Sequence, residues 1–309
     1  MKKDLLSLLD LEEKDVYSLL QSAQERKANP DAGRRPLQGK VLGMLFDKHS
    51  TRTRLSFEAA MLRLGGGAIF LSAGDTQIAR DEPICDTARV LSRYLDILAI
   101  RTFDQGTVEE FAKFSSIPVL NALTDQYHPT QVLGDLLTVL EYKNTVTGLK
   151  YAWVGDGNNM AHSWINAASV LGLELHLACP EGFMPSDEIL QPALDRGNAN
   201  ISVMTDPAAA IRGADVVNTD VWASMGQEAD SDRRKSFFEP YQVNSSLLQH
   251  AHPDAIVMHC LPAHRGEEIS EAVLEGPGSV VWDQAENKYH MNMAILERYT
   301  QERGTDSDR

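Results

Sequence analysis

The sequence predicts an α/β protein of two domains, each with a central, largely parallel sheet flanked by helices. Three observations carry that prediction. Short apolar runs alternate with stretches of helical periodicity along the whole chain. The alternation breaks at Lys143-Asn144-Thr145-Val146-Thr147-Gly148, which divides the chain into domains at 1–143 and 144–287. A length of 309 residues also suits two domains.

Val41–Phe46 is the first apolar run and reads as a buried strand. Leu55, Phe57, Ala60, Met61 and Leu64 then recur at helical spacing until Gly65–Gly67 stop the helix. Ala68–Leu71 reads as a strand and Asp86–Leu95 as a helix, with Val90, Leu91, Tyr94 and Leu95 on one side. Ile97–Ile100 and Pro118–Asn121 are further strands. Residues 130–142 read as a long helix whose apolar face is Leu133, Leu136, Leu137 and Leu140.

Strands of the second domain are expected at Tyr151–Gly155, Glu174–Ala178, Ile201–Val203, Asp215–Thr219, Ile256–Met258 and Val280–Trp282. Helical segments such as Ala161–Leu171 and Pro207–Arg212 separate most of them. A last helix, clearest over Met291–Tyr299 and bounded at about 288–305, is expected to pack back onto the first domain.

Composition narrows the functions. The net charge of −15 argues against a nucleic-acid partner. A local cluster of donors can still bind an anion, because a distant global charge is screened. Cys85, Cys179 and Cys260 are too few and too scattered for a disulfide framework, fit a reducing cytoplasm, and form no structural metal motif. No apolar stretch approaches the roughly 18 residues of a membrane span, and the acidic sequence after Met1-Lys2-Lys3-Asp4 does not read as a signal peptide.

Ligand sites of parallel sheets lie beyond the carboxyl ends of the strands, so the residues after each strand are the candidates. After the first strand comes Ser50-Thr51-Arg52-Thr53-Arg54, then a helix. Helix N–H groups, hydroxyls and guanidinium suit a phosphate; equally, Ser50 suits a plain N-cap with solvated arginines. Arg101 follows the strand ending at Ile100, as a salt-bridge partner or a ligand donor. His128-Pro129-Thr130-Gln131 opens the long helix, with capping and packing as the alternative role for His128. Together these donor-rich segments imply a small, strongly anionic substrate.

In the second domain, Gly155-Asp156-Gly157-Asn158-Asn159-Met160 lacks the third glycine of a dinucleotide fingerprint, so no nicotinamide cofactor is read from it. Asn159 is a polar ligand contact or a turn residue. Asp220, past a strand end, suits an ammonium group. Ser224-Met225-Gly226 and the charged run to Lys235 suit a mobile loop or a solvated surface. Cys260, in His259-Cys260-Leu261-Pro262, is either inert core or a site residue.

Taken together, these segments, with Asp86-Thr87-Ala88-Arg89-Val90-Leu91-Ser92-Arg93-Tyr94, resemble the ornithine carbamoyltransferases of the aspartate/ornithine carbamoyltransferase superfamily. The resemblance runs from about Leu5 to Tyr299, and it rests on the order and spacing of the segments rather than on any single one. It implies carbamoyl transfer from carbamoyl phosphate to L-ornithine, giving L-citrulline and phosphate, in a homotrimer or multiple of trimers. No metal, cofactor or covalent enzyme intermediate is implied.

By resemblance, Ser50, Thr51, Arg52 and Thr53 cradle the phosphate, and Gln77 reaches it across a trimer interface. Arg101 bridges phosphate and carbonyl oxygen, His128 donates to that oxygen, and Gln131 holds the carbamoyl amide. Asn159, Asp220, Ser224 and Met225 contact ornithine, with Asp220 on the α-ammonium. Cys260 and the Leu261 backbone lie near the δ-amine and the carbamoyl group. Lys288 stands where the family usually has arginine; it keeps the charge on the phosphate side and loses the planar fork. A nicotinamide-dependent oxidoreductase fits the fold but not the missing fingerprint. A non-catalytic anion-binding protein would not need Asp220 and Cys260.

Overall fold

Parallel strands joined by helices build two sheets, and the candidate residues emerge at the carboxyl ends of both. The computed structural model describes residues 3–29, 35–48, 50–72, 74, 82–223 and 231–301. Gln77, Ser224 and Met225 lie outside the described residues. The chain divides into two units, one formed by residues up to Gly134 together with those from Asn287 onward, the other by Asp135–Glu286.

The first unit runs α1 (Glu13–Ala28), β1 (Val41–Phe46), α2 (Thr51–Arg63), β2 (Gly67–Ser72), α3 (Ile84–Tyr94), β3 (Ile97–Arg101), α4 (Gln105–Phe114), β4 (Val119–Leu123) and the first turns of α5 (Pro129–Lys143). The sheet order is β2-β1-β3-β4, with every pair parallel. All of β3 is buried, because a parallel sheet is covered on both faces. Leu45, Leu98, Ile100, Val108, Phe111 and Val119 pack in one core cluster. Sequence reading assigns no element to α4. The structure forms it from an Asp104 cap on the Thr107 N–H (2.8 Å) and the buried face Val108, Phe111 and Ala112.

In the second unit, α5 ends and is followed by β5 (Lys150–Val154), α6 (Asn159–Leu171), β6 (Glu174–Ala178), α7 (Asp187–Asp195), β7 (Asn200–Met204), α8 (Pro207–Ile211), β8 (Val216–Thr219), α9 (Ser231–Phe238), α10 (Ser245–Leu248), β9 (Ile256–His259), α11 (Glu271–Leu274) and the first turns of α12 (Val281–Gln301). The sheet order is β7-β6-β5-β8-β9, again all parallel. Gly172 closes α6 at φ 68°, a left-handed cap that favours glycine.

The strand expected at Val280–Trp282 is not formed. Val280 makes one sheet-like contact, its N–H donating to the Val257 carbonyl at 3.0 Å, and α12 begins at Val281. Three apolar residues cannot distinguish a strand from the first turn of a buried helix. Here the helical pattern starts earlier than expected, and Val281 packs into the second core.

Each sheet has one point where the chain leaves a strand to both sides: β1/β3 in the first, β5/β8 in the second. Such switch points open a crevice at the carboxyl ends. No helix of the described residues is long and apolar enough to cross a membrane.

Candidate active site

In the first unit, the loops after β1, β3 and β4 are tied together. Thr102 donates from its hydroxyl to Asp47 (2.5 Å). Lys48, buried beneath the Phe103 ring at 4.2 Å, pairs with Asp125. These links hold 50–53, Arg101 and His128 at one sheet end, where Phe46 and Arg101 are paired in register. Nothing in the local pattern of Lys48 announces this role, since its partners lie on other strand ends.

Ser50 caps α2, its side chain accepting from the Thr53 N–H at 3.1 Å. The cap leaves the first N–H groups of the helix at the strand end. Arg54 is engaged away from them, on Glu58 (2.9 Å) and over the Phe70 ring (3.9 Å), whereas Thr51 and Arg52 are exposed.

Thr53, Arg101, His128, Gln131 and Lys288 are all buried. Lys288 lies on the part of α12 that belongs to this unit. A Cβ on Gly134 would stand 3.1 Å from the Lys288 Cα, so glycine allows α5 and α12 this close approach. The Lys288 ammonium donates to Gln131 Oε1 (2.8 Å) and Thr53 Oγ1 (3.2 Å), and lies 3.3 Å from His128 Nε2. Burial first, then Lys288 and Arg101, hold the His128 pKa well below 6.5, so the ring is neutral at pH 7. Holding Arg101 and Lys288 out of water costs stability. A cluster of this kind is suited to receiving negative charge.

The second unit carries a set of opposite sign. Asp220 follows β8 and is buried. Its carboxylate accepts from the Val221 N–H (2.8 Å), from Asn158 Nδ2 (3.1 Å) and from the Cys260 thiol (3.1 Å). Asn158 also caps α6, accepting from Met160 and Ala161 N–H groups at 2.9 and 3.2 Å. Asn159, the residue expected here, is the first of α6; its carbonyl accepts from the Ser163 hydroxyl (2.7 Å). The adjacent Asn158, which sequence reading does not single out, makes the contact to Asp220, because both asparagines suit a strand-to-helix turn.

Two other arrangements escape the sequence. His259 Nδ1 accepts from the Leu261 N–H (2.9 Å), and its Nε2 lies 2.9 Å from the buried Glu268 carboxylate. Leu261 adopts φ 58°, a strained value for a non-glycine residue, and its N–H is engaged by His259. Arg234 donates from Nε to the Trp222 carbonyl (2.6 Å) and pairs with Asp156, its guanidinium lying over Phe183 (4.6 Å) and Phe238 (5.1 Å). Burial pushes the Asp156 carboxyl up to about 6; Arg234 opposes that rise and the Asp220 charge adds to it. Only spatial proximity links these residues, which lie 12 and 78 positions apart.

The arrangement thus offers a buried cationic set for an anion and a donor-held carboxylate for a cation. Comparison with known proteins agrees. Residues 3–141 match the carbamoyl-P binding domain of aspartate/ornithine carbamoyltransferases, and residues 147–299 match their Asp/Orn binding domain. An ornithine carbamoyltransferase of Syntrophus aciditrophicus is 55% identical over 96% of this chain and 99% of its own. One of Desulfotalea psychrophila is 54% identical over 97% and 99%. Among solved structures, the ornithine carbamoyltransferase of Pyrococcus furiosus is 48% identical with a TM-score of 0.91, covering 96% of both chains. The anabolic enzyme of Campylobacter jejuni is 41% identical with a TM-score of 0.92, covering 97% of this chain and 99% of its own.

Proposed function

The chain belongs to the aspartate/ornithine carbamoyltransferase family, and on that premise we propose that it transfers the carbamoyl group of carbamoyl phosphate to the δ-amine of L-ornithine, giving L-citrulline and phosphate. The observation that carries this reading is that the first unit buries a cationic set and the second buries a donor-held carboxylate.

Carbamoyl phosphate belongs to the first unit. Ser50, Thr51, Arg52 and Thr53 receive the phosphate at the start of α2, where N–H groups and helix dipole favour an anion. Gln131 holds the carbamoyl amide. Arg101 bridges phosphate and carbonyl oxygen, with His128 beside that oxygen and Lys288 adding charge on the phosphate side. Ornithine belongs to the second unit. Asp220 takes its α-ammonium, and Asn159, Ser224 and Met225 complete the contact, with Asn158 fixing the carboxylate. The Leu261 N–H is engaged with His259, so its carbonyl is the group offered to the δ-amine.

Ornithine must attack as the neutral δ-amine, and free amines of this type are mostly protonated at pH 7. Addition forms a tetrahedral intermediate with negative charge on the former carbonyl oxygen. Arg101, the Thr53 hydroxyl and the His128–Lys288 pair stabilise it. Phosphate then leaves as the C–O bond breaks, and the attacking nitrogen passes one of its two protons to the departing phosphate and keeps the other in citrulline. Cys260 hydrogen-bonds and polarises; it forms no bond to carbon. Positioning supplies much of the rate, without metal or cofactor.

The working form is a homotrimer or a multiple of trimers in the cytoplasm, with Gln77 reaching carbamoyl phosphate from a neighbouring copy. Leu55, Leu62, Ile69, Val90 and Tyr94, exposed on α2, β2 and α3, support an interface on the first unit. Three cysteines outside any disulfide support a reducing compartment. The test is citrulline formation from carbamoyl phosphate and ornithine, with aspartate, putrescine and N-acetylornithine as competing acceptors. Turnover with one of those in preference to ornithine overturns the assignment.

A further inference from the structure

β9 closes one edge of the second sheet, so its outward N–H groups meet no strand. Once buried they need acceptors all the same. Val257 donates to the Gly278 carbonyl (2.8 Å). His259, two residues on and facing the same way, donates instead to a side chain, Oε1 of Gln284 on α12 (2.9 Å).

The Gln284 amide is itself held at its other end, where Nε2 donates to Asp135 Oδ1 of α5 (2.8 Å). Gln284, Asp135 and His259 are all buried. A backbone N–H needs an acceptor and a carboxylate needs a donor, so a single orientation of the amide serves both. Asp135 therefore sets which end of Gln284 faces the strand.

His259 is the last residue of β9 and pairs in register with Thr219, the last of β8. The residues that follow, Cys260 and Asp220, consequently leave the sheet side by side, and the thiol meets the carboxylate at 3.1 Å. β8 flanks His259 on one side and Gln284 holds it on the other.

We propose that Gln284 is a positioning residue for the ornithine half of the site: aimed by Asp135, its carbonyl fixes the end of β9 and with it the place of Cys260 beside Asp220. This rests on the ornithine reading of Asp220 and Cys260 and deepens it, by assigning a residue that acts only through others.

Gln284→Leu removes both hydrogen bonds at similar volume. It should raise the ornithine KM by about tenfold, the scale of one lost buried hydrogen bond, and move the carbamoyl phosphate KM by less than about twofold. Gln284→Glu keeps the acceptor for His259 but opposes the Asp135 carboxylate, and should fall between Gln284→Leu and the wild type. The exchanged pair, Asp135→Asn with Gln284→Glu, again sets one amide against one carboxylate and should return the ornithine KM to within about twofold of wild type. In the ligand-free enzyme, mass spectrometry after brief iodoacetamide treatment reads the freedom of Cys260; its alkylation should quicken by about tenfold in Gln284→Leu and slow again in the exchanged pair. Where Gln284→Leu does not fold, Gln284→Glu takes its place in each comparison. An unchanged ornithine KM in the folded variant, equal rises in both KM values, or an exchanged pair no better than Gln284→Leu overturns the proposal. The alkylation rate is read without substrate, so its failure is distinct from a failure to form citrulline.

Discussion

The two units solve opposite electrostatic problems. In the first, Arg101 and Lys288 are buried beside a ring kept neutral, and the side chains around the Lys288 ammonium, Thr53, Gln131 and His128, are uncharged. In the second, a buried carboxylate is met by an amide, a backbone N–H and a thiol, all donors. Each set carries the charge opposite to its proposed ligand. The comparison teaches that a net charge of −15 says little about a site. Local burial decides, because charges within a few ångströms in low dielectric outweigh distant, screened ones.

The comparison is broken most severely at Arg101. Arg101→Ala should lower kcat by about 100-fold or more, the scale of losing a donor to a developing oxyanion. Circular dichroism should show the fold retained, and unchanged kcat in the folded variant would refute the role.

Asp220→Asn is the matching break on the other side. It keeps the shape and removes the charge, and should raise the ornithine KM by about 100-fold, the cost of uncoupling a buried charge pair. The KM for carbamoyl phosphate should hardly move. Equal changes in both constants would remove the division of labour between the units.

A smaller effect is expected from Cys260→Ser. The thiol donates to Asp220 and is not a nucleophile, so the variant should remain active, with the ornithine KM raised by about tenfold and that of carbamoyl phosphate changed less. Rapid-quench mass spectrometry should find no carbamoyl thioester in the wild type. A carbamoylated Cys260 appearing before citrulline would replace direct attack with a covalent route.

The smallest effects sharpen the comparison through pH. The folded-state pKa of His128 lies well below 6.5, so as pH falls below 6.5 the unfolded chain takes up a proton that the folded chain refuses, and stability falls. The Asp156 carboxyl behaves in reverse. Its folded-state pKa is about 6 against an ordinary 3.8, so stability is gained as pH falls through 6 toward 3.8. Each contributes at most about 1.4 kcal/mol per pH unit in its window. Urea unfolding at pH 7, 6 and 5 should show His128→Gln losing less stability on acidification than the wild type, and Asp156→Asn losing more. Slopes of the same sign would contradict the two environments.

Much of this is legible in the sequence alone. The apolar runs located every described strand, the single mis-assigned run being Val280–Trp282. The strand-end rule selected Ser50–Thr53, Arg101, His128, Asp220 and Cys260, because a parallel sheet puts function at its carboxyl edge whatever the chemistry. Helices with weak or local signals, such as α4, were harder: their buried faces are defined by the strands they cover.

The sequence by itself determined the alternation of elements, the residue types at the strand ends and the family they belong to. These follow from periodicity and from spacing along the chain. Only the tertiary structure decided which partners meet. It placed Asn158 on Asp220 where either asparagine would suit the turn. It brought Arg234 to Asp156 and to the Trp222 carbonyl, and it carried Lys288 across 160 positions to His128. The physical reason is that periodicity is written in neighbours a few residues apart, whereas a buried hydrogen bond depends on helices and strands closing over a core, and that closure has no local signature.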